Sequence, residues 1–184
     1  GNSVINIVVP SGSSDTYILD LDAMTISDLA NINISGDVTV KISDASDLTG
    51  ITAITSSSTS TVTLNVIDEG SATAISLSDI KGTFTAVDKI VMEDQVTLTL
   101  EAASDVTSLG LTEILGDGVI GSTSVQTAID GIKVASSVNF SPTGSVTISG
   151  TATEDEVLTA ANTLADGDGL GAISYQWTRG GTNI

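Results

Sequence analysis

Apolar residues alternate with threonines in the middle of the stretch 92–106. Val96, Leu98 and Leu100 are separated by single polar residues, and this period of two is typical of a strand with one face on a core. A Ser-Asp pair and an aliphatic residue come shortly after the strand. The stretch therefore predicts a half-buried strand followed by a polar turn.

The same unit occurs earlier, in the stretch 34–48. Val38, Val40 and Ile42 alternate there with polar residues, and a Ser-Asp-aliphatic triplet follows at the same offset. A unit that occurs twice in one chain is typical of repetitive structural and adhesive proteins. We expect the six apolar residues of the two strands to face the core. The threonines between them are expected to face outward: Thr39, Thr97 and Thr99.

The Ser-Asp-aliphatic triplet occurs four times, at 27–29, 46–48, 78–80 and 104–106. Ser is a good helix N-cap and Asp suits the positive end of the helix dipole, so each triplet predicts one short helical turn after a strand. Successive triplets are 19, 32 and 26 residues apart. The mean of about 26 residues is the length of one solenoid coil.

A proline-containing segment, 139–144, divides the chain, because residue usage changes after it. We predict an all-β fold on both sides of this segment. Residues 1–140 are expected to form a repetitive β domain, built either as a β-solenoid or as stacked sandwiches. Residues 141–184 are expected to form a second β domain.

The composition excludes several classes of function. There are 23 acidic and five basic residues, giving a net charge of −18, which repels nucleic acid and anionic membrane surfaces. The chain has no cysteine and no histidine, so zinc-thiolate sites, cysteine nucleophiles and a Ser-His-Asp triad are impossible within it. The apolar run near the N-terminus is too short to span a bilayer. We expect a protein that is not an enzyme and does not insert into a membrane.

The second domain carries a family resemblance. It contains Gly-Ser-Val-Thr-Ile-Ser-Gly at 144–150, Leu-Thr-Ala at 158–160, Asp-Gly-Asp-Gly-Leu-Gly at 166–171 and Tyr-Gln-Trp at 175–177. This pattern resembles the Ig-like repeats of very large bacterial repetitive surface proteins and adhesins. The resemblance implies the first three strands of an incomplete Ig-like β-sandwich, with Trp177 in its core. We expect the natural protein to continue beyond this point.

Residues 1–140 are similar, less specifically, to Thr/Ala/Asp-rich repeats of large secreted bacterial exoproteins. That resemblance implies a secreted protein at the bacterial cell surface, in an S-layer, a filament or a repetitive adhesin, and it implies calcium binding. We therefore expect a structural segment that assembles with copies of itself. The terminal strand Val4–Val9 either adds to a neighbour's sheet or pairs within its own subunit.

Two other functions stay open from the residues alone. The first is a carbohydrate-binding or polysaccharide-active β-protein, although sugar sites favour exposed aromatics and only 3% of this chain is aromatic. The second is an ice-binding surface built on Thr-x-Thr rows, of which Thr61/Thr63 and Thr97/Thr99 are the clean pairs. The sequence does not identify a surface or polysaccharide partner.

One loop has the residue types of a calcium site. Asp166 and Asp168 are two residues apart in a Gly-rich turn, so their carboxylates can lie on one side. Calcium prefers six to eight oxygen ligands, mostly carboxylates and carbonyls. The acidic run 154–156 lies nearby in sequence. We predict Asp166 and Asp168 as metal ligands, and a plain acidic turn is the alternative.

Overall fold

The computed structural model describes residues 3–10, 13, 15–25, 30–121, 129 and 131–184. The chain divides into two compact units, Gly1–Asn139 and Phe140–Ile184. The two units differ in strand pairing and in burial, and each is described by itself.

The first unit alternates short strands with a few short helices. In chain order its described elements are β1 (Ser3–Val8), β2 (Tyr17–Asp20), β3 (Ala30–Ser35), β4 (Val38–Ile42), a 3₁₀ helix (Ala45–Leu48), β5 (Ile51–Ser56), β6 (Val62–Val66), β7 (Thr73–Ser76), α1 (Leu77–Thr83), β8 (Lys89–Met92), β9 (Val96–Thr99), α2 (Ala103–Leu109), β10 (Glu113–Gly116), β11 (Val119–Ile120), β12 (Lys133–Val134) and β13 (Asn139–Phe140), which begins at the last residue of this unit.

These strands form three sheets. The A sheet has the order β1-β3-β5, the B sheet β12-β10-β8-β6-β4-β2 and the C sheet β13-β11-β9-β7. The A and B sheets are parallel throughout, as are the β7–β9 and β9–β11 pairs. Each turn of the chain, here called a coil, thus returns a strand to the same sheet one position further along.

The core of the coils is a set of aliphatic rows in register. In the B sheet Val40, Leu64, Ile90 and Ile114 are successive neighbours, and each is 0% exposed. Burying one such side chain contributes about 1.5–3 kcal/mol. The inward positions predicted for β4 and for residues 96–100 are confirmed, because all six apolar side chains are buried and Thr39, Thr97 and Thr99 are not.

Short helices occupy one corner of the later coils. The 3₁₀ helix, α1 and α2 each begin one residue before a predicted triplet and contain it, so those three triplets are confirmed as helical turns. The triplet 27–29 lies outside the described residues. The predicted caps are wrong: the N-caps are Asp44, Ser76 and Ala102, two residues before each triplet's Ser. The Asp of each triplet therefore lies at the third helical position.

The prediction of an all-β fold is wrong. The chain is mixed α/β, with 41% of its residues in strands and 11% in helices. The sheets of the first unit are parallel rather than the antiparallel sheets of a sandwich. The helices are only one or two turns long, and such short helices leave little 3.6-residue periodicity in a sequence dominated by alternation.

The two sequence repeats are not structurally equivalent strands. Val40 lies in β4 of the B sheet, whereas Leu98 lies in β9 of the C sheet, paired with Ile75 and Ile120. The Ser-Asp triplets that follow them do share a corner, because α1 contacts both the 3₁₀ helix and α2. Alternation determines which side chains face inward, but it does not determine which sheet a strand joins.

The second unit is not the predicted Ig-like sandwich. Its described strands form two antiparallel hairpins, β14 (Val146–Ser149) with β15 (Thr159–Asn162) and β16 (Thr178–Arg179) with β17 (Thr182–Asn183). The predicted strand at 173–178 is irregular up to residue 177, and Trp177 is only half-buried. Two short hairpins do not provide the second sheet that buries an inward face.

We expect Leu98→Asp to destabilise the first unit by several kcal/mol. Leu98 is 0% exposed, so the substitution places a charge without a partner in an apolar core. Thr99→Asp, on the outward side of the same strand, is the control and should cost about 1 kcal/mol or less. Urea unfolding followed by circular dichroism measures both. Equal stabilities of the two variants would mean that the inward face is wrongly assigned.

We expect Gly116→Ala to destabilise more than Gly70→Ala. Both glycines have positive φ, 98° and 84°, which costs an L-residue about 1–2 kcal/mol. At Gly116 a Cβ would also lie 1.9 Å from the Met92 carbonyl oxygen, whereas nothing lies within 4 Å at Gly70. Thermal unfolding gives the midpoint of each variant, and the difference between the two midpoints measures the cost of the steric contact between β10 and β8. Similar midpoints for the two variants would contradict this close packing.

Candidate functional site

The inward side chains of the first coil are only partly covered. β1 and β2 are the edge strands of the A and B sheets. Their inward side chains Ile5, Ile7 and Leu19 are half-buried. The register partners of these three residues in the next coil are almost fully buried: Ile32 at 0%, Ile34 at 3% and Val40 at 0% exposed. Among the described strands, each of these first-coil residues has a neighbour on one side only.

The backbone of this coil also has free hydrogen-bonding groups. The Val9 N–H donates to the Ser35 carbonyl at 2.8 Å. N–H groups alternate between the two edges of a strand, so the N–H groups of Val4, Asn6 and Val8 point away from β3. Within the described part of the chain these three groups have no hydrogen-bond partner. This row is an open edge, which is a template for a further strand.

Apolar side chains flank the open edge. Val4, Val8 and Ile18 are 55%, 71% and 62% exposed. Exposed aliphatics on a flat strand are usually avoided at an edge, where lysine or proline would block pairing. We call the edge of β1 and β2 with these side chains the open end.

Polar contacts hold the first coil to the second. The Asn33 side-chain amide donates to Asn6 Oδ1 at 2.8 Å, and Thr55 Oγ1 donates to Asn33 Oδ1 at 2.7 Å. In the B sheet Lys41 Nζ lies 2.9 Å from Asp20 Oδ2. The Lys41 hydrogen bond lowers the pKa of Asp20 and raises the pKa of Lys41. The open end is therefore anchored to the coil behind it.

The opposite end of the unit is different. Ile129 and Val138 are 6% and 3% exposed there. The final strands at that end belong to the B and C sheets, whereas the open end presents the A and B sheets. The two ends of the unit therefore have edge strands from different pairs of sheets.

The outward face of the B sheet carries a polar groove. A cavity of about 270 Å³ is lined there by side chains of the first four coils, among them Asp15, Tyr17, Asp37, Thr39, Thr63 and Lys89. Thr39, Thr63 and Lys89 are register neighbours in one row, which continues to Glu113 and Lys133.

The far end of this row is neutralised by ion pairs. Glu113 lies 3.0 Å from Lys89 Nζ and 3.1 Å from Lys133 Nζ. Hydrogen bonds from Lys89 and then Lys133 lower the pKa of Glu113. All three side chains are partly exposed, so these pairs contribute little to stability. They do fix Lys89 at the margin of the groove.

The predicted metal ligands Asp166 and Asp168 lie together in the turn after β15. A hydrogen bond between the two carboxyl groups raises the pKa of Asp166 and lowers the pKa of Asp168, because one proton is shared between neighbouring carboxylates. The Phe140 N–H donates to Asp168 Oδ2 at 3.4 Å. The Asp168 N–H also donates to Asp166 Oδ1 at 3.4 Å, so the two residues stand in one turn.

No third acidic ligand joins the pair: among the described residues no group of three or more Asp, Glu, His or Cys side chains can hold a metal ion. A calcium ion at this loop would need carbonyl and water oxygens for the rest of its shell. The described helices include none long and apolar enough to cross a membrane.

The sequence predicted one part of these surfaces and missed the other. For the strand Val4–Val9 the sequence leaves two alternatives, addition to a neighbour's sheet or pairing within its own subunit. In the structure β1 pairs with β3 of its own chain, and its other edge is open within the described residues. The groove was missed, because Asp15, Asp37 and Thr63 are far apart in sequence and come together only through the register of the coils. The single available signal was Tyr17, an aromatic residue in a chain with few.

Comparison with known proteins does not assign the chain to a family. No protein-family model matches it, and neither the curated proteins nor the solved structures searched give a match.

We expect calcium to raise the melting midpoint of the second unit if Asp166 and Asp168 are ligands. A ligand that binds only the native state stabilises it by mass action. The measurement is differential scanning calorimetry of the whole chain, with chelator and with millimolar calcium. Asp166→Asn with Asp168→Asn should abolish the shift, and Glu154→Gln with Glu156→Gln is the charge-matched control. An unchanged wild-type curve would identify the loop as a plain acidic turn.

Proposed function

We propose that this chain is a non-catalytic structural segment of a secreted bacterial cell-surface assembly, such as an S-layer, a filament or a repetitive adhesin, and that it associates with copies of itself through the open end. The observation that carries the proposal is the half-exposure of Ile5, Ile7 and Leu19 beside a row of free N–H groups. Stacked repeats ordinarily end in a polar capping repeat.

A second copy provides the missing neighbour. Strand addition would pair the free N–H and carbonyl groups of β1, and it would cover the inward side chains that have one neighbour only. The flanking Val4, Val8 and Ile18 would lose exposed apolar surface in the same contact. The net charge of −18 opposes association of two copies, but at the edge strand itself Asp20, the acidic residue of β2, is already paired with Lys41.

The unequal ends favour a contact between like ends. A head-to-tail stack would continue the B sheet alone, since the A sheet at the open end would meet the C sheet of the next copy. A two-fold contact brings identical edges together and pairs them antiparallel. The open end therefore supports pairing of two copies, and a lattice or filament needs a further contact elsewhere on the chain.

The test compares two double variants of the open edge. Val4→Pro with Val8→Pro removes two outward N–H groups and leaves the ladder to β3 intact, because proline is tolerated at an edge strand. Val4→Ala with Val8→Ala removes the same side chains and keeps both N–H groups. We expect the proline variant to associate at least tenfold more weakly than the alanine variant in analytical ultracentrifugation.

Thermal unfolding checks that both variants stay folded. Wild-type protein that remains monomeric at the highest soluble concentration would overturn the proposal. Equal association of the two variants would also overturn it, because the free N–H groups would then play no part.

A further inference from the structure

The groove on the outward face of the B sheet has polar groups without partners. Asp37 Oδ1 accepts the Thr61 N–H at 2.7 Å, which fixes the carboxylate and leaves its second oxygen without a hydrogen-bond partner among the described residues. The Thr39 and Thr63 hydroxyls and the Asp15 carboxylate have no side-chain partner within the described part of the chain. These groups converge on one cavity because successive coils are in register.

The groove repeats with the spacing of the strands. Thr39, Thr63 and Lys89 stand on neighbouring strands, so equivalent side chains recur about every 4.8 Å across the B sheet. A row of hydroxyl donors and acceptors with that spacing suits a linear ligand made of units of similar length. Tyr17 also lines the cavity, at the register position of Val38 rather than in the row of Thr39, and an aromatic residue at the margin of a groove suits the apolar C–H face of a sugar.

Charge decides which linear ligand fits. The chain carries a net charge of −18, and the groove contains two carboxylates, Asp15 and Asp37, against the single cation Lys89. Lys89 is already paired with Glu113 at 3.0 Å. A uronate or sulfated chain would be repelled, whereas a neutral polyol can donate its hydroxyls to the carboxylates.

We propose that this groove binds a neutral oligosaccharide, with the Asp15 and Asp37 carboxylates and the threonine hydroxyls on sugar hydroxyl groups. The cavity of about 270 Å³ holds about one sugar ring, since ligand pockets typically start near 300 Å³. The groove shares β2 with the open end, because Tyr17 and the preceding Asp15 line it, whereas its threonines and Lys89 lie on later coils.

The experiment titrates the whole chain with defined probes by isothermal calorimetry and saturation-transfer NMR. The probes are neutral hexasaccharides of glucose and of N-acetylglucosamine, hexagalacturonate as the anionic arm, and calcium chloride alone. We expect at least one neutral hexasaccharide to bind with a Kd of about 1 mM or tighter, with no binding of the uronate.

A matched pair of variants locates the site. Thr39→Val with Thr63→Val removes two groove hydroxyls while keeping side-chain shape and strand propensity, and it should weaken binding at least tenfold. Thr97→Val with Thr99→Val makes the same change on β9 of the C sheet and should leave binding unchanged. Both variants are compared with wild type for folding by circular dichroism.

Three results would overturn the inference: no neutral hexasaccharide binds, the uronate binds more tightly than the neutral probes, or both variants weaken binding equally. A response to calcium alone without any sugar binding would also overturn it. The groove variants leave the free N–H groups of β1 unchanged, so a failure of this inference is distinguishable from a failure of the proposed self-association.

Discussion

The structure depends on the in-register stacking of aliphatic side chains between parallel coils. Leu64 lies 24 residues after Val40, and Ile114 lies 24 residues after Ile90, yet all four stand in one buried row of the B sheet. A single coil cannot bury its own apolar face, because each strand needs a neighbour on either side. Coil length must therefore return every strand to the same register, and the loops and short helices adjust that length.

Acidic side chains support this stacking, which gives the excess of Asp and Glu a structural use. Asp37 and Asp88 accept the N–H groups of Thr61 and Val62 at the start of β6, at 2.7 and 2.8 Å. Asp105 is 7% exposed and lies 2.6 Å from Lys81, which joins α2 to α1. The contacts of Asp37 and Asp88 satisfy backbone donors where β6 begins. Such donors must find a partner wherever a loop is partly buried.

The same stacking creates both candidate surfaces. At the open end, the inward side chains of β1 and β2 have a neighbouring strand on one side only within the described residues, which is the basis of the proposed self-association. On the outward face of the B sheet, stacking aligns Thr39, Thr63 and Lys89 into a row, and Lys89 is paired there with Glu113. One constraint thus produces an edge suited to a protein partner and a groove suited to a small polar ligand.

The sequence by itself determined which residues face inward and where the chain turns. Alternation placed Val38, Val40, Ile42, Val96, Leu98 and Leu100 in the core, and the Ser-Asp triplets placed three short helices. These features are local, so side-chain pattern is enough to specify them. The tertiary structure decided which strands are neighbours, that they are parallel, and which residues cap the helices. It put β4 and β9 in different sheets and brought Asp37 and Thr63 to one groove, because strand pairing depends on coil length, which alternation does not encode.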